Sequence, residues 1–240
     1  MTKSLLTLIH ELQALETLKD FSLAGGTNLA IRFNHRNSID IDLFTHRLIG
    51  INGWKVIQQA LHEQYGGHLL FCNMINEELG DQFCFLRALI KKGKEQIKVE
   101  MIQNVQHLDA IETINGLNLF SMRDIGLFKL MAASNRFAKK DIYDLDHITD
   151  NIALNSLLQS LKEKKTTFTG IRYQCLFDLD HQKDPLDDNK ILLAFDTEEF
   201  KKSDNSHNHS DDRLDILENS KPWLVAKASW RKKVRRISHL

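Results

Sequence analysis

The feature that most constrains this chain is an acidic strand set a short helix away from a double glycine. The stretch reads Leu23-Ala24-Gly25-Gly26-Thr27, then Ser38-Ile39-Asp40-Ile41-Asp42-Leu43-Phe44. Phe21 to Ala24 form an apolar strand that Gly25-Gly26 stops, and a helix is expected from Thr27 to about Phe33. From Ser38 the pattern alternates with a period of two. Ile39, Ile41 and Leu43 are expected on one face, Asp40 and Asp42 on the other. Glycines at a strand end let the backbone turn sharply and approach a ligand closely. A helix that starts there aims its free N–H groups at the same spot, which suits a phosphate, and the Thr27 hydroxyl adds a donor. Two carboxylates at i and i+2 project together and suit a hard divalent cation through oxygen. Mg²⁺ prefers one or two carboxylates plus substrate phosphates, so the combination reads as a metal–nucleotide site. Taken singly, a Gly-Gly pair is usually only a turn and an Asp-x-Asp only a solvated face. Order and spacing carry the signal.

The rest of the chain supplies a frame for that motif. Leu5, Leu8, Ile9, Leu12 and Leu15 recur at helical spacing over residues 4–18. A helix over 52–65 is expected to turn Val56, Ile57, Ala60 and Leu61 inward, with Gly66-Gly67 ending it. Strands are expected over 68–75, 82–90 and 96–103, joined by segments of turn composition. This is a meander and not a βαβ series. After about residue 120 the texture is helical. Ser121-x-x-Asp124 is a capping signature, with Ile125, Phe128, Met131 and Ala132 as a stripe. Two further helices carry Ile142, Leu145, Ile148 and Ile152, then Leu154, Leu157, Leu158 and Leu161. The fold class expected is α/β (α+β): a mixed sheet with flanking helices over 1–120 and a mainly helical lobe over 121–240. The polar run near 201–212 is expected to be a mobile loop.

Charge and cysteine content narrow the partners. Lys+Arg and Asp+Glu are both 32, so only a local argument can point to a polyanion or a membrane. Residues 221–240 hold seven Lys/Arg and no acid, with Trp223 and Trp230 interleaved. They suit an RNA contact or an amphipathic closing helix equally. Cys72, Cys84 and Cys175 form no C-x-x-C pair and read as reduced. His207 and His209, with His181 distant, lack further ligands at metal spacing. No signal peptide and no run of about 18 apolar residues is found, so a cytoplasmic protein without a membrane segment is expected.

The first motif resembles that of the DNA polymerase β-like nucleotidyltransferase superfamily. More narrowly, the stretch from Leu23 to Thr45 resembles the AbiEii/AbiGii nucleotidyl transferase toxin family. Phe128-Lys129-Leu130, Arg136 and Lys140-Asp141-Ile142-Tyr143-Asp144-Leu145 also resemble it, and the resemblance covers about residues 1–185 through Phe177 to Asp180 and Asp184-Pro185. It implies a nucleotidyltransferase-like sheet and an enzyme that moves a nucleoside monophosphate from an NTP to an acceptor hydroxyl. By the same implication Gly25, Gly26 and Thr27 hold the phosphates, and Asp40 and Asp42 bind Mg²⁺ or Mn²⁺. Glu100, in a position where relatives often have Asp, would be the third ligand.

Lys129 would meet the triphosphate, and Asp141 or Asp144 would contact the base, the acceptor or Lys129. The resemblance further implies a toxin-like role in abortive infection or a type IV toxin–antitoxin system, with tRNA or another RNA as acceptor and an antitoxin encoded nearby. From the residues alone, alternatives stand beside these roles. Glu100 also reads as a salt-bridged surface acid, Lys129 as a side chain reaching for solvent, and Asp141 and Asp144 as exposed or helix-terminal acids. Arg32, His35 and Arg36 could touch phosphate or pair with Asp40 or Asp42. For function, a nucleotide-binding regulatory module and a small-molecule nucleotidyltransferase remain the alternatives.

Overall fold

The computed structural model describes residues 1–136, 138–179, 183–196 and 214–237, so the expected loop at 201–212 and His181, His207 and His209 lie outside the described residues. The chain divides into two compact units. The first comprises Met1–Arg32, Ser38–Ser121 and Phe168–Leu179. The second comprises Phe33–Asn37, Met122–Thr167 and the described residues from 183 onward.

The first unit is built on a seven-stranded mixed sheet. Its strands are β1 (Ser22–Leu23), β2 (Ile41–Phe44), β3 (Leu69–Ile75), β4 (Phe85–Lys92), β5 (Glu95–Ile102), β6 (Glu112–Ile114) and β7 (Leu117–Leu119). Their order is β3-β4-β5-β2-β1-β7-β6. The expected meander is present, with β3, β4 and β5 pairing antiparallel. β2 joins β5 in parallel, with Asp42 opposite Glu100, and it joins β1 antiparallel. One hairpin was not expected from the sequence. β6 and β7 are joined by Asn115-Gly116, both at positive φ (53° and 75°), the backbone that a tight two-residue hairpin turn demands.

Helices pack against this sheet with the faces their spacing dictates. α1 (Lys3–Gln13) buries Leu5, Leu8, Ile9 and Leu12, and Thr2 caps it by accepting from the Leu5 amide. It ends before the expected 18, and a 3₁₀ turn at Glu16–Leu18 carries Leu18 into the core instead. α2 (Gly25–Phe33) starts two residues earlier than expected, so the glycines form its first turn. α3 (Gly50–Tyr65) buries Trp54, Ile57, Leu61 and Tyr65. The expectation for Val56 is therefore wrong. Helical geometry turns each residue by about 100°, so a stripe through Trp54 and Ile57 leaves Val56 outside, and it is 58% exposed. Ile39 is also misplaced by the alternation. The ladder begins at Ile41, and Ile39, ahead of it, is 63% exposed.

The second unit is helical. α4 (Met122–Asn135) begins directly after Ser121 and is buried around most of its circumference, including Ile125, Leu127, Lys129, Leu130 and Ala133. α5 (Lys139–Ile148) and α6 (Leu154–Thr167) bury the expected Ile142, Leu145, Ile148, Leu157, Leu158 and Leu161. α7 (Trp223–Arg235) buries Ala226, Trp230 and Val234 at four-residue spacing, and the Trp230 indole N–H donates to the Leu192 carbonyl at 2.9 Å. Lys233 reaches Asp146 and Asp150 of this unit at 2.8 and 2.6 Å, and Lys221 pairs with the same two acids. The C-terminal segment thus closes the helical unit as an amphipathic helix. Cys72, Cys84 and Cys175 form no disulfide. Among the described residues no helix is long and apolar enough to cross a membrane.

Candidate active site

Two groups of predicted residues are brought together, one in each unit. In the first unit the glycine turn and the acidic strand meet directly. Gly25 has φ of +62°, and a Cβ placed on it would lie 1.9 Å from the Asp42 Oδ2. The missing side chain at residue 25 therefore makes room for the Asp42 carboxylate against the start of α2. The Ala24 amide donates to the Asp42 carbonyl at 2.8 Å, which holds the turn on the strand. Thr27 is buried. Its hydroxyl donates to the Asp40 carbonyl and lies 2.8 Å from the Ser38 hydroxyl. In this structure Thr27 ties the first turn of α2 to the backbone that carries the acids.

Glu100 joins this group through register. Partners across a parallel ladder project to the same side, so Asp42 and Glu100 stand next to each other. The Glu100 Oε1 accepts from Arg87 Nε and Nη2 at 2.8 and 2.7 Å. Its Oε2 lies 3.5 Å from Lys98 Nζ, which also lies 3.5 Å from the Asp40 Oδ2. Burial pushes the Lys98 ammonium down, but the fields of Glu100, Asp40 and Asp42 outweigh it and hold its pKa above the usual lysine value. The donor set is all carboxylate oxygen, which suits Mg²⁺ or Mn²⁺ in kind. In spacing it is gathered around an ammonium: among the described residues no three His, Cys, Asp or Glu side chains lie close enough together to hold a metal ion.

In the second unit the predicted residues form a buried ion cluster. Lys129 Nζ donates to the Asp141 Oδ1 at 2.7 Å and lies 2.8 Å from the Asp144 Oδ2. Arg136 donates to both oxygens of Asp141, from Nε at 2.6 Å and from Nη2 at 2.9 Å. Arg36 grips both oxygens of Asp144 at 2.6 and 2.7 Å, and His35 Nε2 lies 2.8 Å from its Oδ1. Both carboxylates are fully buried. Burial alone would push Asp141 up, but Arg136 and Lys129 reverse this and hold its carboxyl far below the usual range. Burial opposes ionisation of Asp144 too, and Arg36 and Lys129 overcome it in the same way. The i, i+3 spacing of Asp141 and Asp144 thus works as spacing allows, with both acids on the Lys129 side of α5. Lys129 does not reach for solvent, since it is 5% exposed.

The remaining candidates are placed as follows. Arg32 donates to Glu112 at 2.8 Å, to the Phe120 carbonyl at 2.8 Å and to Asn28 Oδ1 at 2.7 Å. Sequence reasoning did not foresee the parts played by Lys98 and Arg87. Lys98 could have been suspected, because it shares a strand face with Glu100 two residues on. Arg87 could not, because its partner is set by the β4–β5 register. At the basic C-terminus, Ala228, Arg231, Lys232, Arg235 and Arg236 line a depression of about 500 Å³, while Trp230 is buried and presents no face for stacking.

Solved structures share the fold that carries this group. A crystal structure of an H. pylori protein assigned as a nucleotidyltransferase matches with a TM-score of 0.52 at 15% identity, covering 97% of this chain and 91% of that one. MenT4, a nucleotidyltransferase toxin of Mycobacterium tuberculosis H37Rv, matches with a TM-score of 0.53 at 15% identity, covering 97% and 83%. At that identity the likeness is one of fold. The chain belongs to the AbiEii nucleotidyl transferase toxin family of the type IV toxin–antitoxin class, whose profile matches residues 8–228. An uncharacterized protein of Aquifex aeolicus (strain VF5) is 28% identical over 137 residues, which are 57% of this chain and 61% of that protein. The chain therefore spans about three fifths of the curated relative it matches.

Three outcomes follow from this geometry. Gly25→Ala forces a Cβ onto the Asp42 carboxylate at a positive φ, and urea denaturation is expected to show a loss of about 1–3 kcal/mol. Asp144→Ala leaves Arg36 buried without its carboxylate and Lys129 with Asp141 alone, and the same measurement is expected to show a loss of about 3–5 kcal/mol. The third concerns His147, whose pKa burial, with help from His35 and Lys221, pushes down from 6.5 to about 4. The unfolded chain then binds the extra proton first. Stability is expected to fall as pH drops from about 6.5 toward 4, with further loss below the ordinary carboxylate value as Asp141 and Asp144 are protonated. His147→Gln is expected to flatten the upper part of a melting-temperature profile and leave the acid limb.

Proposed function

We propose that the chain transfers a nucleoside monophosphate from an NTP to an acceptor hydroxyl, with Asp40, Asp42 and Glu100 holding Mg²⁺ or Mn²⁺. The observation that carries this reading is the Asp42 carboxylate seated against Gly25 with Glu100 as its register partner. An oxygen-only donor set next to a helix start with free N–H groups suits a cation and a polyphosphate together. When bound, the cation would lower the pKa of the acceptor hydroxyl and offset charge on the phosphates.

This chain's residues would do the rest by position. The backbone amides at the start of α2 would meet the phosphates, beside the Asp42 carboxylate that fills the space left by the Gly25 side chain. Asp40 and Asp42 would hold the cation beside the α-phosphate, which the acceptor oxygen attacks in line. The new bond is acceptor O–P, the bond to pyrophosphate breaks, and the hydroxyl proton leaves to a carboxylate or to water. Thr27 acts by fixing the Asp40 backbone. Lys129, Asp141 and Asp144 act as positioning residues, because their charges are already directed at one another in the folded chain. The acceptor is proposed to be a hydroxyl of tRNA or another RNA. The role proposed is that of a cytoplasmic toxin in an abortive-infection or type IV toxin–antitoxin pair, matched to an antitoxin.

The test uses each of the four α-labelled NTPs with Mg²⁺ or Mn²⁺, total RNA, and a parallel reaction without RNA. Label is expected on RNA, and Asp42→Asn is expected to reduce transfer by about 10²–10³-fold, the loss typical of removing one charge-stabilising group. Label on small molecules alone would move the acceptor class. No transfer with any nucleotide, with or without RNA, would overturn the reading.

A further inference from the structure

Lys98 occupies the place where the three carboxylates need a positive charge. Asp42 and Glu100 are register partners across the ladder, and Asp40, just ahead of β2, is joined to Glu100 through Lys98. Three such charges repel one another unless a cation lies among them. The Lys98 Nζ is that cation, 3.5 Å from an oxygen of Asp40 and 3.5 Å from an oxygen of Glu100.

Its grip is loose, and this can be read from distance. Charge-assisted hydrogen bonds to carboxylate run at about 2.7–2.9 Å, as Arg87 makes to the other oxygen of Glu100. Lys98 attracts its acids without a short bond to either, on a flexible four-carbon stem whose side chain is 38% exposed. Arg87 therefore fixes Glu100 in place, while Lys98 can leave. A bound Mg²⁺ would draw oxygens to about 2.0–2.1 Å, far inside their present spacing around the ammonium.

We propose that Lys98 is a displaceable internal counter-ion: its ammonium bridges Asp40 and Glu100 beside Asp42 in the metal-free protein and must swing out when a divalent cation enters. The inference rests on the proposed metal site and goes beyond it, since it makes metal binding an exchange of one cation for another.

Mn²⁺ binding to the full-length protein, read by the loss of the free-ion electron paramagnetic resonance signal, tests it without any turnover. Lys98→Met and Lys98→Gln are expected to bind Mn²⁺ about tenfold more tightly than wild type, because the competing charge is gone. Both are expected to melt below wild type in EDTA and to regain the difference when Mn²⁺ is added. Lys98→Arg, which keeps the charge, is expected to bind within about threefold of wild type. Unchanged or weaker Mn²⁺ binding in both neutral variants, with wild-type binding abolished by Asp42→Asn, overturns the counter-ion inference alone. Equal tightening in Lys98→Arg overturns it as well. If wild type shows no binding that depends on Asp42, the metal reading falls, and this inference falls with it.

Discussion

Repulsion between carboxylates on two adjacent strands is the constraint around which the first unit is organised. Parallel pairing of β2 and β5 puts Asp42 and Glu100 side by side, and Asp40, just ahead of β2, shares Lys98 with Glu100. Nothing in a folding core favours such a group, so the surroundings supply what it needs. Gly25 gives up a side chain and adopts a positive φ so that the Asp42 carboxylate can sit against α2. Thr27 anchors the Asp40 backbone, Arg87 fixes one oxygen of Glu100, and Lys98 places an ammonium among the acids. Each of these features is costly or idle in a purely structural reading, and all of them serve one half-exposed group of charges.

The ionic cluster of the second unit solves the opposite problem. Asp141 and Asp144 are fully buried, and each is met by at least two cations at hydrogen-bond distance. Buried ion pairs seldom add net stability over an apolar alternative, but once present they cannot lose a partner without a large penalty. Lys129 belongs to α4, and the two acids to α5, so the cluster fixes the packing of these helices more tightly than apolar contacts alone would. Its charges are satisfied within the unit. In the first unit Arg87 holds one oxygen of Glu100 closely, while Lys98 stands 3.5 Å from Asp40 and from the other oxygen of Glu100.

Much of the fold was legible because it depends on local periodicity. The α1 stripe, the β3–β4–β5 meander and the apolar faces of α5 and α6 follow from the spacing of side chains along the chain. The failures have local causes too. Val56 belongs to an apolar run, but the stripe is set by Trp54, a larger side chain two residues away and 200° round the helix. Ile39 continues an alternation that the strand ladder does not extend to. The β6–β7 hairpin was announced by Asn115-Gly116, but its strands are three residues each, too short for a period of two to stand out.

The sequence by itself determined the glycine turn, Asp42 on a strand with Asp40 two residues before it, and the spacing of Asp141 and Asp144 on one side of a helix. These are properties of bond geometry over a few residues. Only the tertiary structure decided which groups answer those charges. That Arg87 reaches Glu100, that Lys98 stands between Asp40 and Glu100, and that His35 and Arg36 close on Asp144, 108 residues on from Arg36, depend on strand register and on helix packing. Coulomb attraction and burial act through space, so a cation's partner is set by where the chain returns, and no short stretch of sequence holds that information.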